Sequence, residues 1–229
     1  MTLQLAFGNN PINGVLFDLD GTLLDTAADL GAAVNALLAR DNRPLISDEV
    51  INHTASQGAL ALIKAGYGED LDENSYLALR RDFLDHYENN IAVNTQYFAG
   101  VEHCISLLNH HCISWGIVTN KPYIYTKILL QHFPLLANCQ VTLCGDSMSV
   151  RKPSPEPLLV AAKSLAIAPQ QIVYVGDART DIEAANAANM VSISAKYGYI
   201  PFDDPCENWH SDLIIDRCND LFSVLGKMA

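Results

Sequence analysis

Asp18 and Asp20 stand one residue apart at the end of an apolar run, and Gly21-Thr22 turns the chain immediately after them. Val15-Leu16-Phe17 has strand character, so both carboxylates fall where the backbone leaves a sheet interior. In open α/β sheets that edge binds ligands. Two acids so placed suit a hard divalent cation such as Mg²⁺, which takes one or two carboxylates together with waters and substrate phosphate oxygens. Asp-x-Asp-Gly also occurs as plain turn chemistry. A calcium loop can begin the same way, but residues 22–29 do not continue its ligand pattern.

Three further places offer polar groups of complementary kinds. Thr119-Asn120 closes a strand predicted over 113–119, Lys152 lies just before the helix start Ser154-Pro155-Glu156, and Asp177 and Asp181 follow a strand predicted over 172–175. Taken singly, Thr119 and Asn120 read as helix caps, Lys152 as a solvated lysine, and Asp177 and Asp181 as acids favouring the start of an Ala-rich helix. Parallel strands share a direction, so their carboxyl ends lie on one edge, where all these residues can converge.

The elements that would position them follow from periodicity. Residues 26–97 contain helical patterns and no predicted strand. These are a helix over 26–40 with Thr26 and Asp29 as a weak capping box, a short one capped by Ser47, one over 58–65 closed by Gly66, and one over 73–87. After Gly100, strands and helices alternate, with a helix over 121–132 and strands over 141–144, 191–194 and 213–215. The expected fold is α/β, a doubly wound parallel sheet with an inserted small helical cap domain. Residues 1–24 and 98–229 would form the core and 25–97 the cap.

The chain has 229 residues, 14 Lys and Arg against 26 Asp and Glu, and a net charge of −12. Such a field repels phosphate backbones and anionic membrane surfaces, which argues against nucleic acid and membrane as partners. A small anionic substrate held by local cations remains compatible with it. Six cysteines without a C-x-x-C pair suggest reduced, partly buried thiols. Residues 1–13 lack a basic leader pattern, and no apolar stretch reaches membrane-spanning length. A soluble, cytoplasmic monomer or homodimer is expected.

Asp18-Leu19-Asp20-Gly21-Thr22, Thr119-Asn120, Lys152-Pro153 and Gly176-Asp177 with Asp181 resemble, in order and spacing, the four motifs of the haloacid dehalogenase (HAD) superfamily. The likeness spans essentially the whole chain. It implies a HAD-like Rossmannoid core, and the helical insert resembles the small cap of the phosphoglycolate-phosphatase-like branch. The runs from Trp115 to Pro122, Pro155 to Leu158 and Tyr197 to Ile200 are most similar to bacterial N-acetylmuramic acid 6-phosphate phosphatases. Many relatives of that kind carry the phosphoglycolate name, so two substrates compete. Other tyrosines and the histidines read as core or surface residues.

The expected activity is Mg²⁺-dependent hydrolysis of a small-molecule phosphomonoester. Asp18 would attack phosphorus to form an acyl phosphate, and Asp20 would protonate the leaving alkoxide and then activate water. The Thr119 hydroxyl, the Asn120 backbone N–H and Lys152 would bind the transferring oxygens. Asp18, Asp177 and, by the resemblance, the Asp20 carbonyl would hold the metal. Asp181 completes the candidate metal set, orienting Lys152 or a metal-bound water rather than ligating. Ser56, Gln57 and Gly58, between two predicted cap helices, are the candidate substrate loop, where Gln57 replaces the glycine frequent in relatives. Two alternatives stand beside this reading: a sugar-phosphate mutase using the same nucleophile, and a non-hydrolytic phospho-acceptor signalling module.

Overall fold

The computed structural model describes residues 5–227. Leu5–Phe7 (β1) and Asn10–Ile12 (β2) pair antiparallel. Gly14–Phe17 (β3) follows, buried along its whole length as its uninterrupted apolar sequence requires. Leu24–Asp25 (β4) leads into four helices, Ala27–Arg40 (α1), Asp48–Thr54 (α2), Gly58–Tyr67 (α3) and Glu73–Asn89 (α4). The chain returns through Gln96–Tyr97 (β5), which pairs antiparallel with β4.

Alternation then sets in. Val101–His110 (α5), Ser114–Val118 (β6), Tyr123–His132 (α6), Val141–Leu143 (β7) and Glu156–Leu165 (α7) build one side. Ile172–Gly176 (β8), Arg179–Ala187 (α8), Val191–Ala195 (β9), Leu213–Ile215 (β10) and Leu221–Val224 (α9) build the other. Gly226–Lys227 (β11) pairs antiparallel with β1. The main sheet has the order β10-β9-β8-β3-β6-β7 and is parallel throughout. Strand order therefore reverses across β3, which puts the ligand-binding crevice at its carboxyl end.

Register does the rest. Phe17 lies opposite Ile117 on one side and Val175 on the other. Asp18 is therefore level with Val118 and Gly176, Thr119 and Asp177 follow one residue further on, and the Asp18 N–H donates to the Val175 carbonyl at 2.9 Å. Beneath them Phe17, Trp115 and Tyr174 are fully buried, with the Phe17 and Trp115 rings edge-on at 6.4 Å.

The helical insert has its own apolar seam. α1 turns Leu30, Val34, Leu37 and Leu38 inward, and α4 contributes Leu79, Phe83 and Tyr87. Ser47 caps α2 by accepting from the Val50 N–H at 3.3 Å, and Asp72 caps α4 by accepting from Ser75 N–H at 3.0 Å. No helix among the described residues is long and apolar enough to cross a membrane. All six cysteines are free thiols.

Several local expectations are corrected. The third insert helix runs through Gly66 and ends at Gly68, where φ is +98°. Gly66 is needed inside the helix, because a Cβ there would meet the Leu38 side chain at 2.7 Å. Thr26 and Asp29 form no capping box. The Thr26 hydroxyl donates to Asp20 at 2.7 Å, and the Asp29 carboxylate accepts from the Asn94 and Thr95 N–H groups and the Thr95 hydroxyl, tying the returning segment to α1. Residues 26–97 do contain a strand, β5, whose two residues are too few for periodicity to register. α6 begins at Tyr123, not at 121, which frees Lys121 for another task.

Candidate active site

The carboxyl ends of β3, β6 and β8 and the loop before α7 meet around a buried ammonium. Lys152 Nζ lies 3.0 Å from Asp18 Oδ1 and 2.6 Å from Asp181 Oδ1. It also donates to the Val118 carbonyl at 3.0 Å and the Tyr174 hydroxyl at 2.7 Å. Burial disfavours the charge, yet Asp18 and Asp181 more than offset this and hold its pKa up. Asn120 positions Lys152 from outside: its side-chain amide donates to the Lys152 carbonyl at 3.0 Å, and its side-chain oxygen accepts from the Lys152 N–H at 3.1 Å.

Asp18, Asp177 and Asp181 offer carboxylate oxygens that all lie within 4.8 Å of one another. Burial first, and then repulsion from Asp18 and Asp181, push Asp177 well above the usual carboxylate range, against the Tyr199 N–H and Thr22 hydroxyl that it accepts. Burial likewise raises Asp18 to about 6 despite the pull of Lys152. Asp18 Oδ1 is buried without a hydrogen-bond partner in good geometry. Three clustered hard oxygen donors facing a single ammonium fit a divalent cation such as Mg²⁺. Gly21, at φ +81°, passes so close to the Asp177 carboxylate that no side chain fits there.

Asp20 stands apart from that cluster. Its Oδ1 accepts from the Thr26 hydroxyl at 2.7 Å and from Lys121 Nζ at 3.0 Å. Lys121 in turn donates to the Tyr87 hydroxyl of α4 at 2.9 Å. The buried Thr119 hydroxyl accepts from the Lys121 N–H at 3.2 Å. Sequence reasoning singled out neither Lys121 nor Tyr199, although both lie in the runs that carry the family resemblance. The Tyr199 hydroxyl accepts from the Thr26 and Ala27 N–H groups at 2.6 and 2.8 Å and donates to Asp25 at 2.8 Å, so it satisfies the start of α1.

A cleft of about 1000 Å³ opens above these residues toward α4 and the turn between α2 and α3. Asp18, Asp20, Thr119, Asn120 and Lys152 line it from below, and Ser56, Gln57 and Gly58 from above. Asp177 and Asp181 are fully buried beneath. The Ser56 hydroxyl is engaged, donating to the Tyr199 carbonyl at 3.0 Å.

The sequence profile of the haloacid dehalogenase-like hydrolases matches residues 15–195. The chain belongs to that family. An N-acetylmuramic acid 6-phosphate phosphatase of Pseudomonas putida KT2440 is 35% identical over 214 residues, covering 93% of this chain and 96% of that protein. A phosphoglycolate phosphatase of Xanthomonas campestris pv. campestris strain 8004 is 40% identical over 203 residues, covering 89% and 91%. A crystal structure of a predicted phosphoglycolate phosphatase from Haemophilus somnus 129pt superposes with a TM-score of 0.82 at 26% identity, over 93% of this chain and 97% of that one. This HAD-family hydrolase is a phosphatase of small phosphorylated metabolites.

Proposed function

We propose that the protein hydrolyses N-acetylmuramic acid 6-phosphate through an aspartyl phosphate on Asp18, with Mg²⁺ held by Asp18, Asp177 and the Asp20 carbonyl. The observation that carries the chemistry is the Lys152 ammonium set between Asp18 and Asp181 beside a third buried acid. The observation that favours the amino sugar over a two-carbon acid is the size of the cleft, about 1000 Å³. 2-Phosphoglycolate is the second candidate, because relatives of nearly equal coverage bear that name.

When bound, Mg²⁺ supplies the positive charge that lets an anionic nucleophile approach a phosphate dianion. Asp18 attacks phosphorus as the ester oxygen departs, and Asp20 gives that oxygen its proton. Asp20 then takes a proton from the water that attacks the aspartyl phosphate, releasing inorganic phosphate and restoring Asp18. Lys152, the Thr119 hydroxyl and the Asn120 N–H hold the equatorial oxygens while charge redistributes over them. Asp181 holds Lys152 in place. The four-helix insert, residues 25–97, acts as a cap over the core, hinged at the β4–β5 ribbon and excluding bulk water when closed.

Phosphate release from N-acetylmuramic acid 6-phosphate, 2-phosphoglycolate and hexose phosphates tests this with Mg²⁺ or EDTA present. The expected result is turnover of the amino sugar ester, abolished by EDTA and by Asp18→Asn. Release that survives Asp18→Asn would overturn the mechanism, and exclusive turnover of 2-phosphoglycolate would overturn the substrate.

A further inference from the structure

Residues 25–97 carry five cations, Arg40, Arg43, Lys64, Arg80 and Arg81. Arg40 pairs with Asp41 and Asp82, Arg81 with Asp82, and Lys64 with Glu69. The Arg43 guanidinium lies 4.8 Å over the Tyr67 ring. Arg80 alone of the five has no ion pair, hydrogen bond or ring contact among the described residues, and it lines the cleft.

It belongs to a stripe. Tyr76, Arg80, Phe83, Leu84 and Tyr87 recur at helical spacing on α4 and all line the cleft, so one helix face presents rings, aliphatic surface and a single cation. The cations below are committed elsewhere: Lys152 to Asp18 and Asp181, Lys121 to Asp20, and Arg179 to Asp204. Arg151, adjacent to Lys152 in the chain, is the other cleft-lining cation with no ion pair among the described residues, on the core side.

Distance distinguishes the two ends. Tyr87 reaches the Lys121–Asp20 pair, where the ester oxygen must lie for Asp20 to protonate it. Arg80 sits seven residues earlier on the same helix, about 10 Å along its axis, and helical side chains lean further toward the N-terminus. An anion paired with Arg80 is therefore many bonds from the ester oxygen. A two-carbon acid ester carries its carboxylate too close to the phosphate to span that gap, whereas an acid substituent on a sugar ring can.

Resting on the phosphatase reading above, we infer that Arg80 is the specificity-determining residue that binds a carboxylate on the sugar of the leaving group. The substrate class is accordingly a phosphorylated sugar acid, with the ring against Tyr76 and Phe83. In a chain of net charge −12 this anionic group requires such a local cation.

N-Acetylmuramic acid 6-phosphate and N-acetylglucosamine 6-phosphate differ by one lactyl ether, which makes them the test pair. Their affinities for Asp18→Asn protein with Mg²⁺ are measured by calorimetry, without and with Arg80→Gln or Arg151→Gln. Turnover by wild type is followed separately and judges the phosphatase reading on its own. The lactyl compound should bind Asp18→Asn about ten- to hundredfold more tightly, the range of a charge-assisted hydrogen bond. Arg80→Gln should erase that preference, Arg80→Lys should keep part of it, and Arg151→Gln should leave it intact. In turnover, Arg80→Gln should raise KM for the lactyl ester by far more than it lowers kcat. Equal binding of the pair by Asp18→Asn, or a preference that survives Arg80→Gln or falls with Arg151→Gln, overturns the inference.

Discussion

An ammonium as deeply buried as that of Lys121, whose side chain is 6% exposed, needs compensation from several directions. Burial works against its charge, but Asp20 and the Tyr87 hydroxyl prevail and leave its pKa raised. The Tyr87 ring face, 4.7 Å away, adds a cation–π contact. In the proposed mechanism its use is positional, since Asp20 would meet first a leaving oxygen and then a water. Lys121→Met keeps the bulk and leaves Asp20 oriented by Thr26 alone. The kcat should fall about ten- to hundredfold, part of what a positioned acid–base group supplies. Tyr87→Phe retains the ring beneath the ammonium and should cost about fivefold or less. Steady-state kinetics of the two variants checks that order, and equal losses would contradict it. In the sequence Lys121 reads as the first residue of a helix, because its carboxylate partner is 101 residues away. Lys152 is no more telling alone; only the company of Asp18, Thr119 and Asp177 makes it conspicuous.

At the scale of elements, the segment after β9 clasps core and insert together. Tyr199 gives its N–H to Asp177 and its hydroxyl to the start of α1, its carbonyl accepts from Ser56, and the Ile200 carbonyl contacts His53, whose ring stacks with Phe202. Tyr199→Phe strands the buried N–H of Thr26 and leaves that of Ala27 with only a long contact to the Asp25 carboxylate, 3.4 Å. A loss of about 1–3 kcal/mol is expected, from the desolvation of unpaired donors, and denaturant unfolding of the variant measures it. A loss below a few tenths would mean that water replaces the hydroxyl. The parallel strands and the helices of the insert were legible from apolar runs and 3.6-residue stripes, down to the three-residue β7 and β10. The β1–β2 hairpin, β11 and the β4–β5 ribbon were not. β11 pairs with β1 and β5 with β4 across long stretches of chain, so no local pattern announces them. Ser56 lines the cleft, and its hydroxyl also donates to the Tyr199 carbonyl, a partner no local pattern announces.

For the molecule as a whole, the acidic cluster opposes folding until a cation joins it. A carboxyl whose folded pKa exceeds its unfolded value binds more protons folded than unfolded between the two, so stability falls as pH rises through that window. For Asp18, raised from 3.8 to about 6, the loss should run from about pH 4 to about pH 6 and persist above it. Asp177, raised further, extends it upward. The melting temperature in EDTA should decline over that range. Mg²⁺ at 100 times its Kd should restore about 2.7 kcal/mol, roughly 5–10 °C, at neutral pH and less at pH 5, where protons compete for the same oxygens. A Mg²⁺ increment independent of pH would contradict this. One contact reaches beyond stability. The Asp20–Lys121–Tyr87 chain begins at the end of a core strand and finishes on α4. Any swing of that helix away from the core withdraws a hydroxyl from the ammonium that orients the proton donor. If the insert moves as the cap proposed above, lid position and proton delivery share one mechanical linkage, and a substrate too small to keep the lid shut meets a donor that is out of alignment.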